Sequence, residues 1–158
     1  MRIDRIELRE LPMRLRFRFQ TSFAAEQDRR ILLVTVFGDG LEGYAECVAG
    51  AAPGYSSETV DTCWSVIESF VAPRVVGRSF ATPDELLHAL APIRGHDMAV
   101  AAVEMAFWDL LAKAWNVPLW VALGGHERQV PVGISIGIQA SVEATVEAAR
   151  AAVAEGYK

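Results

Sequence analysis

Met98–Gly125 reads MAVAAVEMAFWDLLAKAWNVPLWVALGG. From Met98 to Trp115 almost every residue is apolar or small, the exceptions being Glu104, Asp109 and Lys113. Asp109 and Lys113 are spaced i,i+4 and can pair on one helical face. Glu104 points elsewhere, because five residues advance a helix by about 140° beyond a full turn. A helix apolar nearly all round is a core helix rather than a surface one. It must stop near Asn116, because a residue just before proline avoids the α region and Val117-Pro118 follows. A short apolar turn then closes on Gly124-Gly125. The physical reading of this stretch is a central scaffold helix with no chemistry of its own.

Upstream, residues 3–11 alternate as a strand, with Ile6 and Leu8 set against Arg5, Glu7 and Arg9, and Pro12 is expected to break it. Phe17 and Phe19 alternate with Arg16, Arg18 and Gln20. Thr21–Asp28 (TSFAAEQD) is expected to be a loop, with Phe19 at its entrance and Phe23 inside it. Ile31–Phe37 is a β-branched strand, Gly38-Asp39-Gly40 a hairpin turn, and Leu41–Val48 the returning strand. Residues 3–48 are therefore predicted to form a three-stranded antiparallel meander. Ala49–Tyr55 (AGAAPGY) is a small-residue loop. Ser56 or Ser57 is expected to cap the next helix, with Glu58 in its first turn and Pro73 and Gly77 at its end. Thr82-Pro83-Asp84-Glu85 starts a short helix that is over by Pro92.

Beyond Gly125 the pattern changes. Gln129–Ile138 (QVPVGISIGI) places Val130, Val132, Ile134, Ile136 and Ile138 on one parity and small residues on the other, with no charge on either. Such a strand is expected to be buried on both faces, as in a parallel sheet. Ser141 caps a helix running from Val142 to about Ala154, with Gly156 as its stop. Strand then capped helix is the opening of a βαβ unit. The bottom-up fold class is α+β: residues 1–125 as one domain and residues 126–158 as the incomplete start of an α/β domain.

The composition excludes several functions. A net charge of −5 without a basic stripe argues against nucleic acid. No uncharged apolar run reaches the length of a membrane span. The charged N-terminus MRIDRIEL lacks an apolar signal segment, so a cytoplasmic protein is expected. Cys47 and Cys63, sixteen residues apart, fit neither a metal motif nor a disulfide framework and read as buried, idle thiols. At 52% hydrophobic residues the chain is slightly richer than usual, which implies a dense core or a surface that something else covers, and makes self-association plausible. Gly133-Ile-Ser135-Ile-Gly137 matches the nucleophile-elbow pattern, but strand alternation runs straight through Ser135, the helix cap comes only at Ser141, and no histidine follows. A small residue on the pocket side of a strand end is the better reading. His88, His96 and His126 have no ligand spacing. Glu46 is either catalytic or a hydrogen-bonded structural carboxylate, and the second is expected.

The run AAVEMAFWDLLAKA (Ala101–Ala114), followed by Pro118-Leu119 and Leu123-Gly124-Gly125, resembles the signature helix of the enolase superfamily, in its muconate-lactonizing and mandelate-racemase-like branch. FQTSF (Phe19–Phe23), GYAECV (Gly43–Val48), PGYSSE (Pro53–Glu58), RGHDMAVAAVEMA (Arg94–Ala106) and VPVGISIGIQ (Val130–Gln139) are similar to o-succinylbenzoate synthases that are also N-acylamino acid racemases. The resemblance implies an N-terminal capping domain over 1–125, and over 126–158 the first strand and helix of a TIM-type barrel whose remainder is a partner of this chain. It implies Mg²⁺, held by three carboxylates, and two lysines working on opposite faces of a small-molecule carboxylate substrate. Phe19, Gly50, Tyr55 and Ser135 match substrate-pocket positions, Gly50 standing where some relatives carry a bulkier Met. The family's first lysine pair falls a few residues after the position of Gly156-Tyr157, so Lys158 is too early to be either one. No catalytic or metal-binding residue is therefore expected in the chain, which should be inactive alone. A homo-oligomer is expected of the whole enzyme. The competing readings are a dipeptide epimerase, a muconate cycloisomerase, or a stand-alone, non-catalytic capping module.

Overall fold

A computed structural model describes residues 1–21, 24–126 and 129–157. The chain divides into two compact units, one of Met1–Met13 with Arg29–Gly125 and one of Arg14–Asp28 with His126–Lys158. A three-stranded antiparallel sheet in the order β1-β2-β3 is built from β1 (Arg5–Gln20), β2 (Ala25–Gly38) and β3 (Leu41–Cys47). The meander is as predicted; two of its details are not. Pro12 does not break β1, which runs through it. As an edge strand, β1 can carry a residue without an N–H donor where a central strand could not. Nor is Thr21–Asp28 all loop, since β2 already begins at Ala25; Phe23 lies outside the described residues. The β2–β3 turn is as expected. Gly38 pairs with Leu41, and Asp39 and Gly40 both have positive φ, 49° and 79°, as a type I′ hairpin requires.

In the first unit Leu32, Val34 and Val36 share one parity of β2 and are fully buried in a core with Val60, Val103 and Phe107. The helices are α1 (Val60–Val66), α2 (Ala72–Val75), α3 (Pro83–Leu90), α4 (Asp97–Ala114) and α5 (Leu119–Ala122). Between α1 and α2, Ile67–Val71 forms one wide π turn. Pro73 therefore does not end the helix as predicted: the wide π turn just before it opens the carbonyl ladder where the proline ring would otherwise clash, and the helix continues to Val75 before Gly77 turns left-handed (φ 81°). The cap of α1 is also corrected. It is Thr59, whose hydroxyl accepts from Thr62 N (3.2 Å) while Thr62 Oγ1 accepts from Thr59 N (2.8 Å). Thr82 caps α3 as predicted, accepting from Glu85 N at 3.3 Å.

The stretch Met98–Gly125 folds as predicted in its main part. Asn116, at φ 55°, makes the left-handed exit of α4, with Val117 N donating to Ala112 O (3.0 Å) and Asn116 N to Lys113 O (3.0 Å). β3 lies directly on α4. A Cβ at Gly43 would stand 2.0 Å from Ala106 O and 2.6 Å from Leu110 N, so only glycine allows this approach. Burial is less complete than the composition of α4 implies. Ala102, Val103, Ala106, Phe107 and Leu110 are sealed, whereas Met105 is 42% exposed.

In the second unit α6 (Val142–Ala154) has the predicted Ser141 cap and a left-handed Gly156 (φ 105°) after it. The strand expected over Gln129–Ile138 is not formed. No ladder is present there, and Val130, Val132, Ile134, Ile136 and Ile138 are all exposed. A parallel strand needs a neighbour for its N–H and C=O groups, and among the described residues none is supplied.

Candidate functional site

The two loop-and-edge regions with pocket-like residues belong to different units. In the first unit the connection from β3 to α1 carries Gly50 and Tyr55. Its start is tied down where Val60 N donates to Gly50 O (3.0 Å) and Gly50 bridges in parallel to Thr59. Tyr55, 89% exposed, stands free of the core. A Cβ added at Gly50 would meet only Ala52 backbone, at 3.5 Å or more, so a side chain there finds ordinary packing rather than a clash. In the second unit Phe19 is 48% exposed near the end of β1, and Ser135 is exposed in the 129–139 segment. A Cβ at Gly137 would lie 4.0 Å from Gln20 O, so the strand end with Phe19 and the segment with Ser135 pass close to each other. Ser135 is not at a strand-to-helix turn, and α6 starts seven residues later.

The residues that hold the β3–α1 loop were not singled out by the sequence. Glu58 is buried. It does not serve the first turn of α1; it caps α4, forty residues away. Its Oε1 accepts from Met98 N at 2.8 Å, and its Oε2 accepts from Ala99 N at 3.1 Å and from Cys63 Sγ at 3.3 Å. The N-cap residue of α4, His96, makes no side-chain cap, so the carboxylate of Glu58 fills that role and meets the positive end of the helix dipole. Ser56 Oγ donates to Glu58 O at 3.1 Å, and Cys47 Sγ donates to Met98 O at 3.6 Å. Cys47 and Cys63 are buried and free, as expected. Burial, reinforced by Cys47 and by Glu58, pushes the Cys63 thiol up, which keeps it protonated and a poor nucleophile.

At the other end of α4 the predicted Asp109–Lys113 pair forms at 2.7 Å, and it does more than pair. Asp109 Oδ2 also accepts from Tyr44 N (2.8 Å), and Lys113 Nζ donates to Glu42 O (2.7 Å) and sits 4.5 Å from the Tyr44 ring centre. The helix thereby caps the open edge of β3. Tyr44 donates its hydroxyl to Glu42, and that bond raises the phenol above its ordinary pKa.

A cleft of about 530 Å³ opens between β3, α4 and α5, lined among others by Tyr44, Glu46, Met105, Trp108 and Leu123. Glu104 in its wall accepts from Trp108 Nε1 at 2.7 Å. Glu46 is exposed at the cleft and has no hydrogen bond or ion pair among the described residues, so the expectation of a hydrogen-bonded structural carboxylate was misplaced: the carboxylate of that kind is Glu58. No group of three or more His, Cys, Asp or Glu is arranged to hold a metal ion among the described residues: Glu58 caps α4, Asp109 holds the edge of β3, Glu104 holds the Trp108 indole and Glu46 faces solvent. These residues do not fit a Mg²⁺ ligand set.

Residues 5–124 match the model of the mandelate racemase / muconate lactonizing enzyme N-terminal domain. The chain belongs to that family, within the enolase superfamily. It is 49% identical to N-succinylamino acid racemase from Thermus thermophilus over 158 residues, all of this chain and 43% of that protein. It is 42% identical to o-succinylbenzoate synthase from Geobacillus stearothermophilus, over 99% of this chain and 42% of the relative. Among solved structures, an enolase-superfamily member from Listeria innocua superposes with a TM-score of 0.93 at 29% identity, over 99% of this chain and 43% of that one. The chain thus spans less than half the length of the relatives it matches. The three-stranded sheet with its helices, and the family inferred from the signature helix, are as read from the sequence.

Proposed function

We propose that this chain is the N-terminal part of a Mg²⁺-dependent enzyme that removes a proton α to a carboxylate, acting as an o-succinylbenzoate synthase, an N-acylamino acid racemase, or both. The observation that carries the reading is the 49% identity to a N-succinylamino acid racemase along the entire chain, with 42% to an o-succinylbenzoate synthase beside it. By their names, one relative acts on and the other makes a compound bearing a succinyl group. In this reading residues 1–125 are a capping domain and 126–158 begin a barrel whose remainder supplies the lysines and the metal ligands. A TIM-type barrel places its active site at the C-terminal ends of its strands, so residues from capping loops can close over it.

The roles left to this chain are binding and selection. Phe19 and Tyr55 offer aromatic surface to the apolar part of a substrate, and Ser135 offers a hydroxyl to a carboxylate or amide. Gly50 leaves room where a larger side chain would narrow the choice. The whole enzyme is read as cytoplasmic and homo-oligomeric.

Assay of the full-length protein with N-succinyl amino acids and with the dehydration substrate of o-succinylbenzoate synthases tests the proposal. Turnover of at least one, abolished by chelation and restored by Mg²⁺, is expected, and residues 1–158 alone should turn over neither. Metal-dependent turnover by 1–158, or full-length activity confined to dipeptides or muconate, would overturn it.

A further inference from the structure

The loop that carries Gly50 and Tyr55 is exposed along its crest but fixed at its ends, and the fixing is asymmetric. Where it leaves β3 it is held by neutral groups: Cys47 Sγ on Met98 O and Val60 N on Gly50 O. Where it enters α1 it is held by a charge. Glu58, 6% exposed, spends both oxygens on the first turn of α4. A carboxylate taken out of water is costly unless it is hydrogen-bonded, and here two backbone donors, a thiol and the helix dipole compensate it. Those donors have no other local acceptor, because His96 does not cap. Ordinary capping by a residue at position 96 would satisfy α4 equally well without touching the loop. Using Glu58 instead couples the loop to α4, whose inner face is sealed in the core of the unit.

We propose that Glu58 is a positioning residue, whose two bonds to Met98 N and Ala99 N set the conformation of residues 48–57 and so of the substrate-facing Gly50 and Tyr55. The effect on substrate rests on the function proposed above; the effect on the loop does not. Glu58→Gln tests it with little change of shape. Its single carbonyl oxygen can satisfy one of the two N–H groups, and its amide then confronts the other donor.

The full-length protein is compared with its Glu58→Gln and Glu58→Ala variants by amide hydrogen exchange and by kinetics on N-succinyl amino acids. Val60 N–H, held by Gly50 O, reports the loop, and Leu110 in mid-α4 reports the core. Exchange at Val60 should quicken about tenfold in Glu58→Gln, as the loss of a charge-assisted bond implies, while Leu110 is unmoved. KM should rise about tenfold with kcat nearly unchanged, because the loop binds substrate and does no chemistry. Asp109→Asn, which loosens the far end of α4, should leave Val60 as it was. Unchanged Val60 exchange in Glu58→Gln overturns the proposal. So does equal quickening at Leu110 or in Asp109→Asn, which would make Glu58 an ordinary stability residue, and so does faster loop exchange without a rise in KM. If the wild type turns over no succinyl substrate, the functional reading fails, and exchange at Val60 still decides the role of Glu58. Should Glu58→Ala not fold, Glu58→Gln decides alone.

Discussion

Two stretches of this chain have the same chemistry and opposite fates. Leu32, Val34 and Val36 on β2 are completely buried, while Val132, on an equally β-branched alternating run, is 73% exposed. The difference does not lie in the residues. β2 has a strand on either side for its backbone and a helical layer for its side chains, whereas 129–138 has no ladder partner among the described residues. Hydrophobic pattern states which face a strand would bury. It does not state that a partner is present to bury it.

The largest effect should come from breaking the buried side of this comparison. Phe107 is fully buried and meets Phe80 edge-on, with centroids 6.2 Å apart. Phe107→Ala should cost about 3–5 kcal/mol in urea unfolding, the usual result of a large aromatic cavity. A loss under about 1 kcal/mol would mean that the core can collapse around the gap, and that burial here is less consequential than the contrast with Val132 implies.

A smaller effect is expected at the polar rim of the same sheet, where Arg30 joins β1, β2 and α1 by pairing with Glu10 (2.7 Å) and Asp61 (2.6 Å). Its hydrogen bonds hold both carboxyl groups below their ordinary pKa values. A depressed folded-state pKa contributes stability that is present above the ordinary carboxylate range and lost as pH falls through the depressed values. The wild type should therefore lose stability below about pH 4 more steeply than Arg30→Gln, in thermal melts taken across pH. Parallel profiles would assign the acid sensitivity to other groups. High salt should narrow the gap, since exposed pairs are screened.

The smallest effect belongs to the bare stretch. Val132→Thr in residues 1–158 should change unfolding by less than about 0.5 kcal/mol, as for any exposed site with no special contact. A loss above about 1.5 kcal/mol would show that Val132 is packed in solution and would erase the contrast with Val34.

Much of the fold was legible because it is local. The span of α4, the Asp39-Gly40 turn, and the Thr82 and Ser141 caps depend on residues within one turn of one another, and each is found where the sequence placed it. The i,i+4 spacing of Asp109 and Lys113 announced their pair, but not the hold on Tyr44 N and Glu42 O, which needs β3 to lie across the helix. Pro12 and Pro73 misled because a proline's cost depends on its surroundings: Pro12 lies on an edge strand, and Pro73 directly follows a π turn that widens the helix's carbonyl ladder. Of the candidate site, the exposed loop with Gly50 and Tyr55 was visible as a run of small residues. Glu58 was not, since its sequence neighbours made it look like part of the first turn of α1.

By itself, then, the sequence determined the local elements, their caps, and the family to which the signature helix belongs. Tertiary structure alone decided that Gly43 must lack a side chain, that Glu58 caps a helix forty residues away, and that one β-branched run is buried and another bare. Periodicity and capping are encoded over a few residues. Burial and hydrogen-bond satisfaction depend on which distant groups arrive beside them.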